Sequence, residues 1–322
     1  MRRHRGAEHP PDASVVRVDG PWDHQMVAAN GARFHVASCG EGPLVLLLHG
    51  FPQFWWSWRH QLPALADLGY RAVAMDLRGF GASDKPPRGY DPRTLAEDAS
   101  GVIRSLGERD AVVAGLGLGG LVAWTLAVVH PRQVRRLVAV SMPHPRRLRR
   151  AHLTDLRQAR ASRHVIGYQR PVLPERGLVA NDGAEVGHLL RSWSGPGFPD
   201  DETEGRYRQA VQIPGVAHCA LESYRWAVRS IPRSDGLRYA RRMASPVTVP
   251  TLQVHGALDQ CVLPSSAHGS GRYVEAPYRW HLVPGVGHFV PEEDPSTFTT
   301  VMSQWLADPS PEHGDHAPGD PR

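Results

Sequence analysis

The segment from residue 111 to residue 124 places a glycine where a reactive side chain is expected. An apolar run, a glycine-rich turn and a second apolar run follow one another there, which predicts a buried strand, a sharp turn and a helix. Enzymes mount a nucleophile on such a turn, with small residues two positions before and after it. Gly115 and Gly119 occupy the small positions, and Gly117 lies between them. Glycine has no atom that attacks a substrate, and the segment contains no Ser, Thr, Cys, Asp or Glu to replace it.

Two residues late in the chain have the chemistry of a general base and its partner. Asp259 follows an apolar run and a glycine turn, and His288 follows Gly287 after the next apolar run. Open α/β sheets place their sites at the carboxyl ends of their strands, where Asp259 is expected. A carboxylate that accepts a hydrogen bond from one imidazole nitrogen fixes the tautomer and leaves the other nitrogen free as a base.

Strand and helix patterns alternate along the chain and predict an α/β fold with a mostly parallel, doubly wound sheet. Residues 25–38 alternate apolar and polar side chains around Ala29-Asn30-Gly31, which predicts a hairpin. The other predicted strands are Leu44–His49, Arg71–Asp76, Ala111–Ala114, Arg136–Met142, Thr251–His255 and Trp280–Val283. The predicted helices are Ser57–Leu68, Pro92–Leu106, Leu118–His130 and Pro295–Leu306.

The alternation is interrupted once, between Pro143 and Pro246. This stretch is rich in arginine, helical in pattern and without clear strands. We expect it to be a helical lid inserted between two parts of one sheet. The predicted organisation is a core of residues 21–143 and 247–308, a lid of residues 144–246, and flexible tails of residues 1–20 and 309–322.

Composition and charge favour a protein that binds neither nucleic acid nor membrane. The net charge is +5, and the densest basic run, from Arg146 to Arg163, lacks a reading motif, so it predicts a solvated helix face. No apolar run approaches the length of a membrane span. The charged N-terminus is not followed by an apolar stretch, which predicts a cytoplasmic protein. Cys39, Cys219 and Cys261 are widely spaced and predict reduced thiols, with no metal and no other cofactor.

Four segments besides the turn resemble the α/β-hydrolase fold and, within it, the epoxide hydrolase branch, over roughly residues 25–307. They are His49-Gly50-Phe51-Pro52-Gln53 followed by Trp55 and Trp58, the loop from Asp76 to Pro86, the run from Val249 to Asp259, and the run from Pro284 to Glu293. In this fold the catalytic residues follow the chain order nucleophile, acid, histidine, and position 117, Asp259 and His288 fall in that order. Asp76 precedes the turn in a loop of structural importance, so we assign it a structural role.

The resemblance also implies which residues bind the substrate. The backbone N–H groups of Phe51 and Leu118 are implied to form an oxyanion hole. Epoxide hydrolases use lid tyrosines that donate to the epoxide oxygen; here Tyr224 matches one, while His164 stands at the other position with Tyr168 one turn later. The expected pocket lies between sheet and lid and is lined by Trp55, Trp58, Leu118, His164, Tyr168 and Tyr224. The implied substrate is a small, largely apolar epoxide or ester, and the protein is expected to be a monomer or a homodimer.

The missing side chain at position 117 leaves three hypotheses open. Members of the family carry aspartate there, or serine in the esterase branches, so their covalent route cannot run in this chain. In the first hypothesis, His288 oriented by Asp259 activates a water that takes the place of the side chain. In the second, the chain is a catalytically inactive pseudo-hydrolase with a ligand-binding or regulatory role. In the third, Gly117 is an altered residue in an otherwise active enzyme.

Two other classes fit the residues less well. The run from Gly115 to Gly120 satisfies the Gly-x-Gly-x-x-Gly pattern of dinucleotide-binding turns, but no acidic residue ends the next strand, where Ser141 stands. Dinucleotide binding therefore stays a remote alternative. Dehalogenation needs the missing aspartate and a tryptophan after it, where this chain has Leu118.

Overall fold

The computed structural model describes residues 10–309 and 314–316. The strands are β1 Asp23–Ala29, β2 Ala32–Cys39, β3 Leu44–Leu48, β4 Arg71–Met75, β5 Ala111–Leu116, β6 Val134–Val140, β7 Thr251–Gly256, β8 Tyr278–Val283 and β9 Gly314–His316. They form one sheet in the order β1-β2-β4-β3-β5-β6-β7-β8-β9. The pairs β1–β2 and β2–β4 are antiparallel, and every other pair is parallel. The predicted α/β class with a mostly parallel sheet is therefore confirmed.

Helices cover the sheet and fill the long stretch between β6 and β7. The helices are α1 Gln61–Asp67, α2 Pro92–Ser105, α3 Leu118–Val129, α4 Pro145–Thr154, α5 Leu156–Ala161, α6 Arg163–Gly167, α7 Leu173–Trp193, α8 Asp201–Gln212, α9 Val216–Arg229, α10 Ser234–Arg242, α11 Pro264–Ala267, α12 Val290–Glu293 and α13 Pro295–Ala307. Helices α4 to α10 lie between β6 and β7 in the chain, and residues 144–246 contain no strand. Non-helical backbone at 180–183 divides α7 into two pieces.

The central strands explain why the sheet is recognisable in the sequence. Every residue of β3, β5 and β7 is buried, as expected of parallel strands that are covered on both faces. At the edge, β1 and β2 pair around Asn30-Gly31, which confirms the predicted hairpin. The carboxyl ends of the parallel strands β3, β5 and β7 lie along one edge of the sheet. Gly117 follows β5 directly at this edge.

The predicted start of the first helix is wrong. The helix predicted from Ser57 begins at Gln61, because Pro63 has no N–H and is tolerated only in the first turn of a helix. Residues 55–58 form a short 3-10 turn instead.

The tail predicted for residues 1–20 is also wrong in the part that the structure describes. Residues 13–16 form a 3-10 turn, Val16 is fully buried, and its carbonyl accepts a hydrogen bond from Trp55 Nε1 at 2.7 Å. At the other end, β9 lies within the predicted tail 309–322 and pairs with β8. Residues 1–9, 310–313 and 317–322 lie outside the described residues.

Candidate active site

Gly117 forms the sharp turn between β5 and α3. Its backbone has φ +52° and ψ −114°, a conformation that side chains disfavour and glycine adopts without strain. Its N–H donates to the carbonyl of Val140 at 3.0 Å, which fixes the turn to the end of β6. The sequence-predicted turn therefore exists, with the position of the missing side chain at the carboxyl edge of the sheet.

The neighbouring glycines allow the turn to pack closely. A Cβ atom on Gly115 would lie 2.2 Å from the carbonyl oxygen of Gly119, and a Cβ atom on Gly119 would lie 2.2 Å from that of Leu48. Both contacts are too short for any side chain. The glycine pattern thus has a packing explanation, and the dinucleotide-binding alternative loses its main support.

His288 faces the bare turn. Its Nε2 lies 3.1 Å from the point that a Cβ atom on Gly117 would occupy. The imidazole is buried, with 4% of the residue exposed. The backbone N–H of His288 donates to the carbonyl of Trp193 at 2.9 Å. The structure brings these two sequence-predicted residues together and leaves Nε2 pointing at position 117.

Asp259 holds the other nitrogen of this imidazole. Its Oδ2 lies 2.8 Å from His288 Nδ1, and its Oδ1 accepts from the N–H groups of Cys261 and Val262 at 2.8 and 2.9 Å. The carboxyl group is fully buried. Burial favours the neutral acid, but His288 and His255 outweigh it and lower the pKa of Asp259 to about 2. Asp259 is therefore ionised at neutral pH and fixes Nδ1 of His288 as the protonated nitrogen.

His255 is a second imidazole on the same carboxylate, which the sequence reasoning did not identify as a site residue. Its Nε2 lies 3.2 Å from Asp259 Oδ2 and 2.7 Å from the carbonyl oxygen of Val262. Since both neighbours are acceptors, Nε2 carries a hydrogen. The spacing His255-Gly-Ala-Leu-Asp259 at the end of a predicted strand was the only available sign of this contact.

Glu293 fixes the loop that carries His288. Its carboxylate accepts from the N–H groups of Gly287 and Phe289, which flank His288, and from Gly195 at the end of α7, each at 2.7 Å. Burial raises the pKa of this carboxyl group, although the three N–H donors oppose the change. The histidine loop and the end of α7 are thus joined at one side chain.

The residues implied to form an oxyanion hole lie beside the turn. Leu118 is the first residue of α3, and the first N–H groups of a helix have no acceptor within the helix. The Gly119 N–H donates to the carbonyl of His49 at 3.0 Å, which ties α3 to the loop that carries Phe51. Gly50 Cα lies 3.8 Å from the Cβ position at Gly117. Both segments therefore border the space in front of His288.

Aromatic side chains of the segment between β6 and β7 pack against Phe51 beside this space. The ring centroid of Phe51 lies 5.5 Å from that of Tyr224 and 6.2 Å from that of Tyr168, and the two tyrosine rings are 5.3 Å apart. Burial raises the pKa of both phenols. The Tyr168 hydroxyl is buried and has no hydrogen-bond partner within the described residues. Such a group can donate to a bound ligand.

Trp193 of α7 contacts His288 and was not predicted from the sequence. Its ring lies 5.8 Å from that of His288, 5.1 Å from that of His164 and 6.5 Å from that of Phe51. Nothing in its local sequence marks it, because its position depends on how α7 packs on the sheet. We call Phe51, His164, Tyr168, Trp193 and Tyr224 the aromatic cluster.

The assignment of Trp55 and Trp58 to the pocket is wrong. Trp55 is fully buried against Trp22 and His24, and Trp58 packs against Phe298 of α13. Both indoles therefore belong to the core of the domain. Their closeness in sequence to Phe51 reflects a 3-10 turn that leads away from the site.

Asp76 has the structural partners expected of a residue that holds a loop in place. Asp76 is fully buried and its carboxylate accepts from the N–H groups of Trp55 and Ala82 and lies 2.8 Å from His35 Nδ1.

Within residues 10–309 and 314–316, no group of three or more His, Cys, Asp or Glu side chains is arranged to hold a metal ion. No helix among the described residues is long and apolar enough to cross a membrane.

The family model of the alpha/beta hydrolase fold matches residues 43–295. The chain belongs to this family. It is 32% identical over 288 residues to the AB hydrolase superfamily protein YfhM of Bacillus subtilis (strain 168), covering 88% of this chain and 97% of that protein.

Relatives of the epoxide hydrolase branch are similar over almost the whole chain. Epoxide hydrolase 3 of Xenopus tropicalis is 32% identical over 312 residues, covering 92% of this chain and 80% of that protein. Among solved structures, an epoxide hydrolase from an endophytic Streptomyces matches with a TM-score of 0.76 and 28% identity, covering 92% of this chain and 99% of that chain. The sequence-based assignment to an epoxide hydrolase-like α/β-hydrolase is confirmed.

Proposed function

We propose that this protein hydrolyses a small, largely apolar epoxide or ester with a water that His288 and Asp259 activate beside Gly117. The observation that carries the proposal is the 3.1 Å between His288 Nε2 and the Cβ position of Gly117. A base held at that distance faces the position from which the family's side chain attacks. The family relationship supports hydrolysis as the reaction class.

The base is prepared for this role by its partner. Asp259 accepts the hydrogen of Nδ1, so Nε2 carries the lone pair and can take a proton from water. The imidazolium that forms is stabilised by the ionised carboxylate. His288 and Asp259 therefore supply both the tautomer and the charge that the step requires.

The proposal gives the activated water three polar partners. They are His288 Nε2 and the backbone N–H groups of Phe51 and Leu118, and a bound water needs between two and four polar partners. Glycine at position 117 leaves room for it, because no Cβ atom lies in front of the imidazole. In this proposal the water is activated by the imidazole of His288.

For an epoxide, the water oxygen forms a bond to one ring carbon while its proton passes to His288 Nε2. The carbon–oxygen bond of the ring breaks, and the ring oxygen takes a proton from the hydroxyl of Tyr168 or Tyr224. The product is a vicinal diol, and proton transfer from the imidazolium through solvent restores the phenol. For an ester, the N–H groups of Phe51 and Leu118 would hold the tetrahedral oxyanion.

The test is a turnover screen of epoxides and aryl esters with the wild type, His288→Ala and Gly117→Asp. We expect turnover by the wild type, at least a hundredfold loss in His288→Ala, in the range of lost acid–base catalysis, and altered kinetics in Gly117→Asp. Unchanged turnover in His288→Ala contradicts the proposal.

A single-turnover experiment in water labelled with a heavy oxygen isotope separates direct attack by water from the covalent route. Direct attack by water puts heavy oxygen into the product of the wild type in the first turnover. Gly117→Asp, if it regains the covalent route, transfers an unlabelled carboxylate oxygen first. Unlabelled product from the wild type would contradict the proposed water.

The absent side chain at position 117 favours one other function, a pseudo-hydrolase that binds a ligand without turnover. Saturable binding of epoxide or ester analogues together with no turnover by the wild type would support it. Recovery of epoxide opening in Gly117→Asp alone would identify Gly117 as an altered residue in an otherwise intact site.

A further inference from the structure

His164 is the one imidazole in the aromatic cluster, and its tautomer follows from one contact. Its Nδ1 lies 3.1 Å from the carbonyl oxygen of Ala161, one turn earlier in the chain. A carbonyl oxygen only accepts, so Nδ1 carries the hydrogen. The lone pair of the neutral ring is therefore on Nε2.

The ring is neutral at physiological pH. Burial lowers the pKa of His164 to about 4, the Ala161 carbonyl opposes this change, and the nearby His288 adds to it. A group with this pKa is a weak base at neutral pH. It is therefore suited to accept a hydrogen bond rather than to remove a proton in the reaction.

Nε2 has no partner within the described residues but lies among the groups that cover the site. The His164 ring centroid is 5.1 Å from that of Trp193, 5.6 Å from that of Tyr168 and 6.0 Å from that of Tyr224. The same Trp193 ring contacts His288, so His164 and the base contact one shared indole. An acceptor thus lies beside two phenols that donate.

We propose that His164 Nε2 accepts a hydrogen bond from the ligand, so that the site selects molecules with a hydroxyl or N–H next to the reacting group. The inference rests on the proposed function only in placing the ligand in the same site. The ligand class has an acceptor for Tyr168 or Tyr224 and a donor for His164. Epoxy alcohols, hydroxy esters and primary amides meet this requirement, whereas simple alkyl epoxides meet only half of it.

The different hydrogen-bonding roles of His164 Nε2, an acceptor, and the tyrosine hydroxyls, which donate, explain why ligands with both a donor and an acceptor are preferred. The lone pairs of an epoxide oxygen repel that of Nε2 but accept from a phenol. A ligand hydroxyl placed at Nε2 replaces a hydrogen bond to water, whereas a methyl group there displaces that water and leaves the acceptor without a partner. The orientation of the substrate is therefore set by the pair of donor and acceptor.

A matched pair of unreactive ligands tests the inference without turnover. Phenylacetamide and phenylacetone differ only by an amino group in place of a methyl group, and calorimetry gives the ratio of their affinities. We expect the wild type to favour the amide by about tenfold relative to His164→Phe, the size of one buried hydrogen bond. His164→Gln, whose amide oxygen also accepts, should restore part of the ratio, and His188→Ala on the exposed face of α7 should leave it unchanged.

Three outcomes would overturn the inference. Two come from calorimetry: an equal ratio of affinities in the wild type and His164→Phe, or no binding of the amide by the wild type in the millimolar range. The third is a nitrogen NMR spectrum that places the hydrogen of His164 on Nε2 at neutral pH. Both measurements hold whether or not the protein catalyses a reaction, so failure of the proposed hydrolysis is separate from failure of this inference.

Discussion

Gly117 and His288 lie closer together than a side chain at position 117 allows without adjustment. The 3.1 Å between Nε2 and the Cβ position is shorter than an ordinary van der Waals contact between carbon and nitrogen. The imidazole would have to withdraw by a few tenths of an ångström to admit even a methyl group. The histidine loop in this chain is thus fitted to a bare turn.

We expect Gly117→Ala to lower both stability and turnover. The φ of +52° strains any side chain by about 2 kcal/mol, and the added methyl group pushes on His288 and fills the place of the proposed water. Chemical denaturation and turnover assays measure the two effects.

Gly107→Ala provides the matched control for Gly117→Ala. Gly107 also has a positive φ, +89°, but a Cβ atom there would meet nothing within 4 Å. The free energy of unfolding of Gly107→Ala should fall by about 1 kcal/mol through backbone strain alone, and the turnover of this variant should not change. Equal effects on turnover in the two variants would show that the space in front of His288 has no special role.

We expect Tyr168→Phe to raise stability and reduce turnover. The Tyr168 hydroxyl is buried without a partner, so removing it relieves a desolvation cost of about 1 kcal/mol in the free protein. The same hydroxyl is proposed to donate to the substrate oxygen, and its loss should slow turnover by at least tenfold. Thermal unfolding and steady-state kinetics measure the two changes.

Tyr207→Phe is the comparison for Tyr168→Phe. The Tyr207 hydroxyl is also buried but donates to Glu292 at 2.7 Å, so its removal should destabilise the protein. Destabilisation by Tyr168→Phe would mean that its hydroxyl has a partner and is not available to a ligand.

The lowered pKa of Asp259 predicts a loss of stability in acid. A carboxyl group with a folded pKa of about 2 and an ordinary value of 3.8 stabilises the fold fully above pH 3.8. That contribution falls as the pH drops from 3.8 towards 2, and its size is about 2 kcal/mol. Asp259→Asn, which does not titrate, should show a flatter decline of unfolding free energy across this window. Parallel curves for the two proteins would contradict the assigned shift.

The predictable part of this molecule was the part that periodicity and turn chemistry determine. Strands β3, β5 and β7 are continuous apolar runs, and the turn at Gly117 follows from glycine spacing. Because parallel strands end at one edge of a sheet, the sequence predicts that Asp259 and His288 lie near each other.

The missed features depend on packing between distant segments. Trp193 reaches His288 across 95 residues of chain through the way α7 lies on the sheet, which no local pattern encodes. Trp55 and Trp58 were assigned to the pocket because they follow Phe51, yet their 3-10 turn directs both rings into the core. The sequence shows His255 only as one residue of a buried strand. Its contact with the carboxylate of Asp259 depends on the turn that follows the strand.

We expect His255→Phe to impair the Asp259–His288 pair while leaving the packing of β7 intact. His255 stacks on Trp280 with centroids 5.7 Å apart and an angle of 26° between the rings, and a phenyl ring can keep that contact. The variant removes the N–H that lies between Val262 O and Asp259 Oδ2, so the pKa of Asp259 should rise towards 3.8 and the loss of unfolding free energy between pH 3.8 and 2 should be smaller. Turnover should fall through kcat rather than KM, because His255 touches the acid and not the proposed ligand site. His255→Gln, which can donate to the same two oxygens, should recover part of both effects. An unchanged acid transition together with unchanged kcat would reduce His255 to a packing residue.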